Sequence, residues 1–113
     1  MGKRLGFYKE YINPIKEGLK TSTIRKHFTG DLGDKIAAYD ADTNSLGFSK
    51  KVFGFIRIKE IKYIRFDDID KKIARTEGYL HEDFLKESLY SIYPDLEGST
   101  LLYYIVFEFQ EKE

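Results

Sequence analysis

"VFGFIRIKEIKYIR", residues Val52 to Arg65, decides the fold. Apolar and polar residues alternate along it with a period of two, the pattern of a strand with one face in a core. Phe53 and Phe55 hold one phase, Ile56 and Ile58 the other, and Ile61 and Ile64 come later in the run. The changes of phase around Phe55–Ile56 and Glu60–Ile61 predict bulges or bends. A strand this long in a chain of 113 residues has to curve, which suggests a small barrel.

Working outward, Phe7 ends a short first strand. Tyr8, Tyr11, Ile12, Ile15 and Leu19 recur at helical spacing, so the pattern predicts a helix over roughly 8–18, with Pro14 inside it and Gly18 as its stop. Residues 21–26 and the apolar centre of "GDKIAAYDAD" read as further strands, and Thr43 to Lys51 as a loop. "FDDIDKKIAR" carries Phe66, Ile69 and Ile73 on one helical face, with acids first and bases last, as the helix dipole favours. "HEDFLKESLYSIY" puts Phe84, Leu85, Leu89 and Ile92 on another helical face, stopped by Pro94. The closing "TLLYYIVFEF" is apolar enough for a central strand. The sum is one α+β domain over 1–113: four or five strands and about three helices. Its expected barrel core includes Phe7, Ile24, Ile36, Phe55, Ile58, Ile105 and Phe107.

Composition narrows the function classes. Hydrophobic residues make up 42%, and nine Tyr and nine Phe are enough to fill one core. Lys+Arg and Asp+Glu are both 19, so the chain lacks the overall cationic surplus of a strong nucleic-acid binder. The absence of cysteine excludes disulfides, thiolate metal sites and a cysteine nucleophile. "MGKRLGFYKE" has no long apolar run, and no segment is long enough to span a bilayer, so the expected location is the cytoplasm without membrane partners.

The densest chemistry lies in "GLKTSTIRK", Gly18 to Lys26. It is not a phosphate loop, because the Walker spacing of glycines is missing and the segment follows a helix. No metal site is expected. His27 reads as a surface residue, His81 as a helix-start residue, and Asp67, Asp68 and Asp70 as acids of a first helical turn. Glu77 in "ARTEGY" sits where a helix should finish at Gly78, facing the negative end of the dipole. A carboxylate there calls for a cationic partner, exposure to water or a function.

Together these pieces resemble the ASCH family of the PUA-like superfamily. The matching elements are Phe7, "IKEGLKTSTIR" (Ile15 to Arg25), Gly33 and Asp34 of the doubled Gly-Asp, "ARTEGY" (Ala74 to Tyr79), and "IYP" with the closing "IVFEF". The resemblance implies a PUA-like small β-barrel with flanking helices around a cleft, and a nucleoside or RNA ligand. Some small members remove the acetyl group from N4-acetylcytidine with a lysine, a threonine and a glutamate, which fall here on Lys20, Thr23 and Glu77. Arg25, Thr21, Ser22 and Tyr79 are the expected substrate-binding residues, and no cofactor is expected. The implied activity is a metal-independent amidohydrolase on an N-acylated pyrimidine nucleoside. The alternatives are an RNA- or modified-nucleobase-binding module without catalysis, or a ribonuclease.

Chemically, Thr23 can attack an acyl carbon or position a water, Lys20 can take the proton once desolvated, and Arg25 can lower the Lys20 pKa or hold the oxyanion. Glu77 can orient Lys20 or protonate the leaving amine. In a straight strand Lys20 and Thr23 would face opposite ways. They converge only if Lys20 lies in the turn after Gly18 and the strand starts near Ser22.

Overall fold

The computed structural model describes residues 3–41 and 51–111. They form β1 (Arg4–Phe7), α1 (Lys9–Lys16), β2 (Ser22–Arg25), β3 (Lys35–Asp40), β4 (Val52–Arg65), α2 (Lys71–Thr76), α3 (Glu82–Ile92) and β5 (Leu101–Glu111), with a 3-10 turn at Phe66–Asp68. Residues 43–50 of the expected loop lie outside the described residues.

The five strands form one sheet in the order β1-β3-β4-β5-β2. β1 runs parallel to β3, and the other pairs are antiparallel. The expected barrel is corrected here: the sheet curves but does not close. β1 and β2 are both edges, each four residues long, and neither is paired with the other. The Arg25 side chain crosses between them instead, donating through Nη2 to the Gly6 carbonyl at 2.7 Å. One guanidinium thus replaces a backbone ladder and leaves a seam.

β4 occupies the predicted residues and carries two register shifts. Against β3, Ala38 pairs with Gly54 and Tyr39 with Val52, so Phe53 is the extra residue. Against β5, Ile58 pairs with Phe107 and Glu60 with Val106, so Lys59 is extra. The bulges therefore fall one or two residues before their expected places. The first one explains the phenylalanines. Phe53 turns in toward Phe7 and Phe109, with ring centroids 6.3 and 5.9 Å away. Phe55 stays out of the core, a correction to the expected list: the inward positions are Gly54, Ile56 and Ile58, and the half-buried Phe55 ring has Lys35 Nζ 4.8 Å from its centroid.

Two apolar clusters flank the sheet. Phe7, Ile15, Ile36, Ile58, Ile105 and Phe107 belong to one, packed around α1. Ile24, Phe66, Ala74, Leu85, Leu89 and Tyr104 belong to the other, under α2 and α3. Phe84, expected on the apolar face of α3, is 58% exposed. Asp70 caps α2 by accepting from the Ile73 N–H at 2.9 Å, while Asp67 and Asp68 lie in the preceding 3-10 turn. His81 caps α3 through Nδ1, which accepts from the Asp83 N–H at 3.1 Å, and His27 is exposed. Among the described residues, no helix is long and apolar enough to cross a membrane.

Candidate functional site

Two helix endings bring the site together. α1 stops because Gly18 adopts φ +78°, a left-handed conformation that reverses the chain. The carbonyl of Pro14 then accepts from both Leu19 N–H (2.9 Å) and Lys20 N–H (3.0 Å), pinning Lys20 beneath the helix end. α2 stops the same way at Gly78, φ +92°, with the Tyr79 N–H donating to the Ala74 carbonyl at 2.9 Å. The Thr21 N–H donates to the Thr76 carbonyl at 2.7 Å, and the Thr21 carbonyl accepts from the Phe107 N–H at 2.9 Å. This clip between the lead-in to β2 and the end of α2 sets Lys20 against Glu77. β2 begins at Ser22, so the geometric condition for Lys20 and Thr23 to share a face is met.

The result is a cleft of about 290 Å³ at the seam, lined by Lys20, Thr23, Arg25, Glu77 and Tyr79. Lys20 and Glu77 are 4% and 3% exposed, and Lys20 Nζ stands 3.1 Å from Glu77 Oε1. Lys20 Nζ also donates to the Glu77 carbonyl at 3.4 Å and lies 4.9 Å from the Tyr11 ring centroid. Glu77, stranded at a helix C-terminus, thus has the cationic partner that its position demands. Thr23 Oγ1 accepts from Arg25 Nε at 2.9 Å.

Burial pushes Lys20 below its ordinary value of 10.5, Glu77 opposes that shift, and the Arg25 charge adds to it. Burial also pulls down the Arg25 guanidinium, which nevertheless keeps its charge as arginine does in proteins. A buried amine that holds its proton less tightly than usual, a hydroxyl held by a cation and a fixed carboxyl group are together suited to proton transfer and nucleophilic attack.

Thr21 and Ser22, expected at the substrate, do not line the cleft. Thr21 acts through its backbone. Ser22 is fully buried behind Glu77, donating to Oε2, with its Oγ 2.7 Å from Thr76 Oγ1. The sequence reasoning did not single out the aromatic wall: Phe7, Tyr8, Tyr11, Tyr39 and Tyr93, joined by Ser88 from α3. Tyr11 Oη lies 2.7 Å from both Tyr79 Oη and Ser88 Oγ, and burial pushes its phenol well above the ordinary value of 10.0. Helical spacing marked Tyr11 for the core, and no local signal separates a core tyrosine from a cleft tyrosine. Among the described residues no group of three or more His, Cys, Asp and Glu could hold a metal ion.

This fold recurs among solved structures. The ASCH domain from Lactobacillus crispatus JV V101 superposes with a TM-score of 0.73 at 14% identity, over 95% of this chain and 79% of that one. The ASCH protein from Zymomonas mobilis gives 0.67 at 20% identity, over 93% and 65%. A hypothetical protein, PH0355, gives 0.68 at 18% identity, over 97% and 100%. No curated protein sequence matches the chain. The family model described as the ASCH domain matches residues 3–111, and the chain belongs to the ASCH domain family.

Proposed function

We propose that the seam cleft is the active site of an amidohydrolase acting on an N-acylated pyrimidine nucleoside such as N4-acetylcytidine. The observation that carries this reading is the buried Lys20–Glu77 contact in the same cleft as Thr23, whose hydroxyl is held by Arg25. Thr23 Oγ attacks the acyl carbon and passes its proton to the Lys20 amine. Arg25 stabilises the oxyanion. The N4–acyl bond breaks, and the leaving amine takes a proton from Lys20. Water then cleaves the acyl–threonine ester, giving one proton to Lys20, which returns it to Thr23. One water is consumed, and cytidine and a carboxylic acid are released.

The cleft suits a small substrate. At about 290 Å³ it lies at the lower end of ligand pockets, which run from about 300 to 1,000 Å³. The aromatic wall offers ring faces for a stacked base. The balanced charge of the chain speaks against tracking a long phosphate backbone. No step calls on a metal: among the described residues Glu77 is the single acid in the lining, and it is already engaged by Lys20 and Ser22.

The test is incubation with N4-acetylcytidine, with cytidine as the product measured, in the presence and absence of a chelator. Chelator-insensitive turnover, lost in Thr23→Ala, is the expected result. No turnover combined with tight binding of RNA or of the nucleoside would favour a binding module. RNA cleavage would favour a ribonuclease.

A further inference from the structure

One aromatic ring of the cleft stands where local stability would not put it. Tyr8 is the N-cap residue of α1, with φ −64° and ψ 150°, and its side chain makes no capping hydrogen bond. Serine, threonine, aspartate or asparagine there would accept from a free N–H of the first helical turn, which a tyrosine ring does not do. The same ring is 42% exposed, so it recovers only part of the gain from burying an aromatic. Exposure alone would need no explanation, because single apolar side chains are common on protein surfaces. A residue that forgoes a cap without filling the core is another matter, and marks a place where function outweighs local preference.

The other five rings of the cleft lining are engaged. Phe7 lies in the core against Phe53 and Phe107. Tyr11 and Tyr79 meet edge to face and share a hydroxyl contact of 2.7 Å. Tyr39 lies over Gly6 so closely that a Cβ there would come within 2.7 Å of its ring. Tyr93 packs against the cluster under α2 and α3, and its Oη accepts from the Lys26 N–H at 3.5 Å. Tyr8 belongs to neither apolar cluster. Among the described residues its ring meets no other ring, and its hydroxyl has no hydrogen-bond partner.

The seam relates this ring to the chemistry. Tyr8 follows β1, and Thr23 lies in β2 on the opposite bank. Two residues before Tyr8, the Gly6 carbonyl accepts from Arg25, whose Nε holds Thr23. We propose that Tyr8 is the stacking platform of the cleft: a pyrimidine base lies on its ring and turns its acylated edge toward Thr23 across the seam. This rests on the reading of the cleft as a nucleoside site and names the side chain that selects a flat base, since a ring face holds any base through its π-surface.

The test separates capping from stacking. Binding is followed with cytidine, the product of the proposed reaction, which undergoes no turnover. Tyr8→Ala and Tyr8→Asn should both lose affinity, by roughly 5- to 150-fold, the range of one base–aromatic contact. Tyr8→Phe should retain it. Tyr8→Asn should nevertheless melt about 4 °C above Tyr8→Ala, because asparagine restores the helix cap. Affinity that follows the melting temperature, returning in Tyr8→Asn, would make the ring structural and overturns the proposal. A further variant reads stacking directly. The chain contains no tryptophan, so Tyr8→Trp places a single indole at this position. Cytidine should quench its fluorescence, and an unquenched indole overturns the proposal. Neither readout needs hydrolysis: if these losses and the quenching occur while wild type leaves N4-acetylcytidine intact, the amidohydrolase reading fails and the stacking platform stands.

Discussion

Phe107 and Phe55 are both aromatic residues of strands that the alternation pattern assigns to the core, yet they should respond very differently to truncation. Phe107 is 3% exposed, sits mid-strand in β5 opposite Ile58, and meets the Phe7 ring at 6.0 Å in an edge-to-face arrangement. Phe107→Ala loses the transfer free energy of the ring and leaves a cavity, about 3–5 kcal/mol together. Phe55 is half-buried on the opposite face, with Lys35 Nζ near its ring. Phe55→Ala loses part of its apolar contact and an exposed cation–π contact worth about 0.5–1 kcal/mol, so about 1–1.5 kcal/mol in total. At roughly 4 °C per kcal/mol for a domain of this size, the melting temperatures should fall by about 12–20 °C and about 4–6 °C. Urea unfolding with unchanged m-values is the assay, since both variants should expose the same surface on unfolding. Equal losses would refute the assignment of the bulge at Phe53, because only that extra residue separates the phase of Phe53 from that of Phe55. A Phe107 loss below about 1 kcal/mol would place that ring at the rim of the sheet.

Asp70→Ala should cost about 1 kcal/mol through loss of the α2 cap and leave hydrolysis of N4-acetylcytidine intact, as measured by thermal unfolding and product formation. Glu77→Gln should lose about 1 kcal/mol in urea unfolding, because an amide has one acceptor oxygen where Glu77 accepts from both Ser22 and Lys20, whereas Glu77→Leu, which accepts from neither, should lose about 1–3 kcal/mol. Thr23→Ala should abolish turnover and still bind the nucleoside, by titration calorimetry. Lys20 must be unprotonated to act as a base, so activity should rise with pH through a midpoint below 10.5. Arg25 helps hold Lys20 down, so Arg25→Gln should move that midpoint to higher pH in a pH–rate profile.

The sequence carried the local decisions well. Gly18 and Gly78 announced both helix ends because only glycine takes those positive φ angles cheaply, and the ends are what aim Lys20 and Glu77. Glu77 was conspicuous because a carboxylate at a helix C-terminus is electrostatically misplaced until a partner is found. Closure of the sheet was not legible. It depends on whether two four-residue edges pair, a non-local choice that no spacing within β1 or β2 encodes. Nor could the pattern tell that Ser22 turns into the protein behind Glu77, since in "KTSTIR" every hydroxyl looks alike until the strand's faces are assigned. The Phe53–Phe55 reversal was visible as a change of phase, but its cause, an extra residue against β3, belongs to the pairing.

The open seam and the candidate chemistry have one origin. A closed barrel would have joined β1 to β2 with a backbone ladder and filled the gap. Here the guanidinium of Arg25 spans it, bonding Gly6 with one nitrogen and Thr23 with another, and lying 5.0 Å from the centre of the Phe7 ring. The same side chain therefore holds the edges together, fixes the hydroxyl of Thr23 and lends its charge to lowering Lys20. Keeping that charge together with both hydrogen bonds is not possible with any other natural side chain, since lysine has no planar fork to reach both acceptors. Arg25→Lys should consequently impair the site nearly as much as Arg25→Gln. Comparable thermal stability and turnover in Arg25→Lys and wild type would mean that the seam is held by something other than this fork.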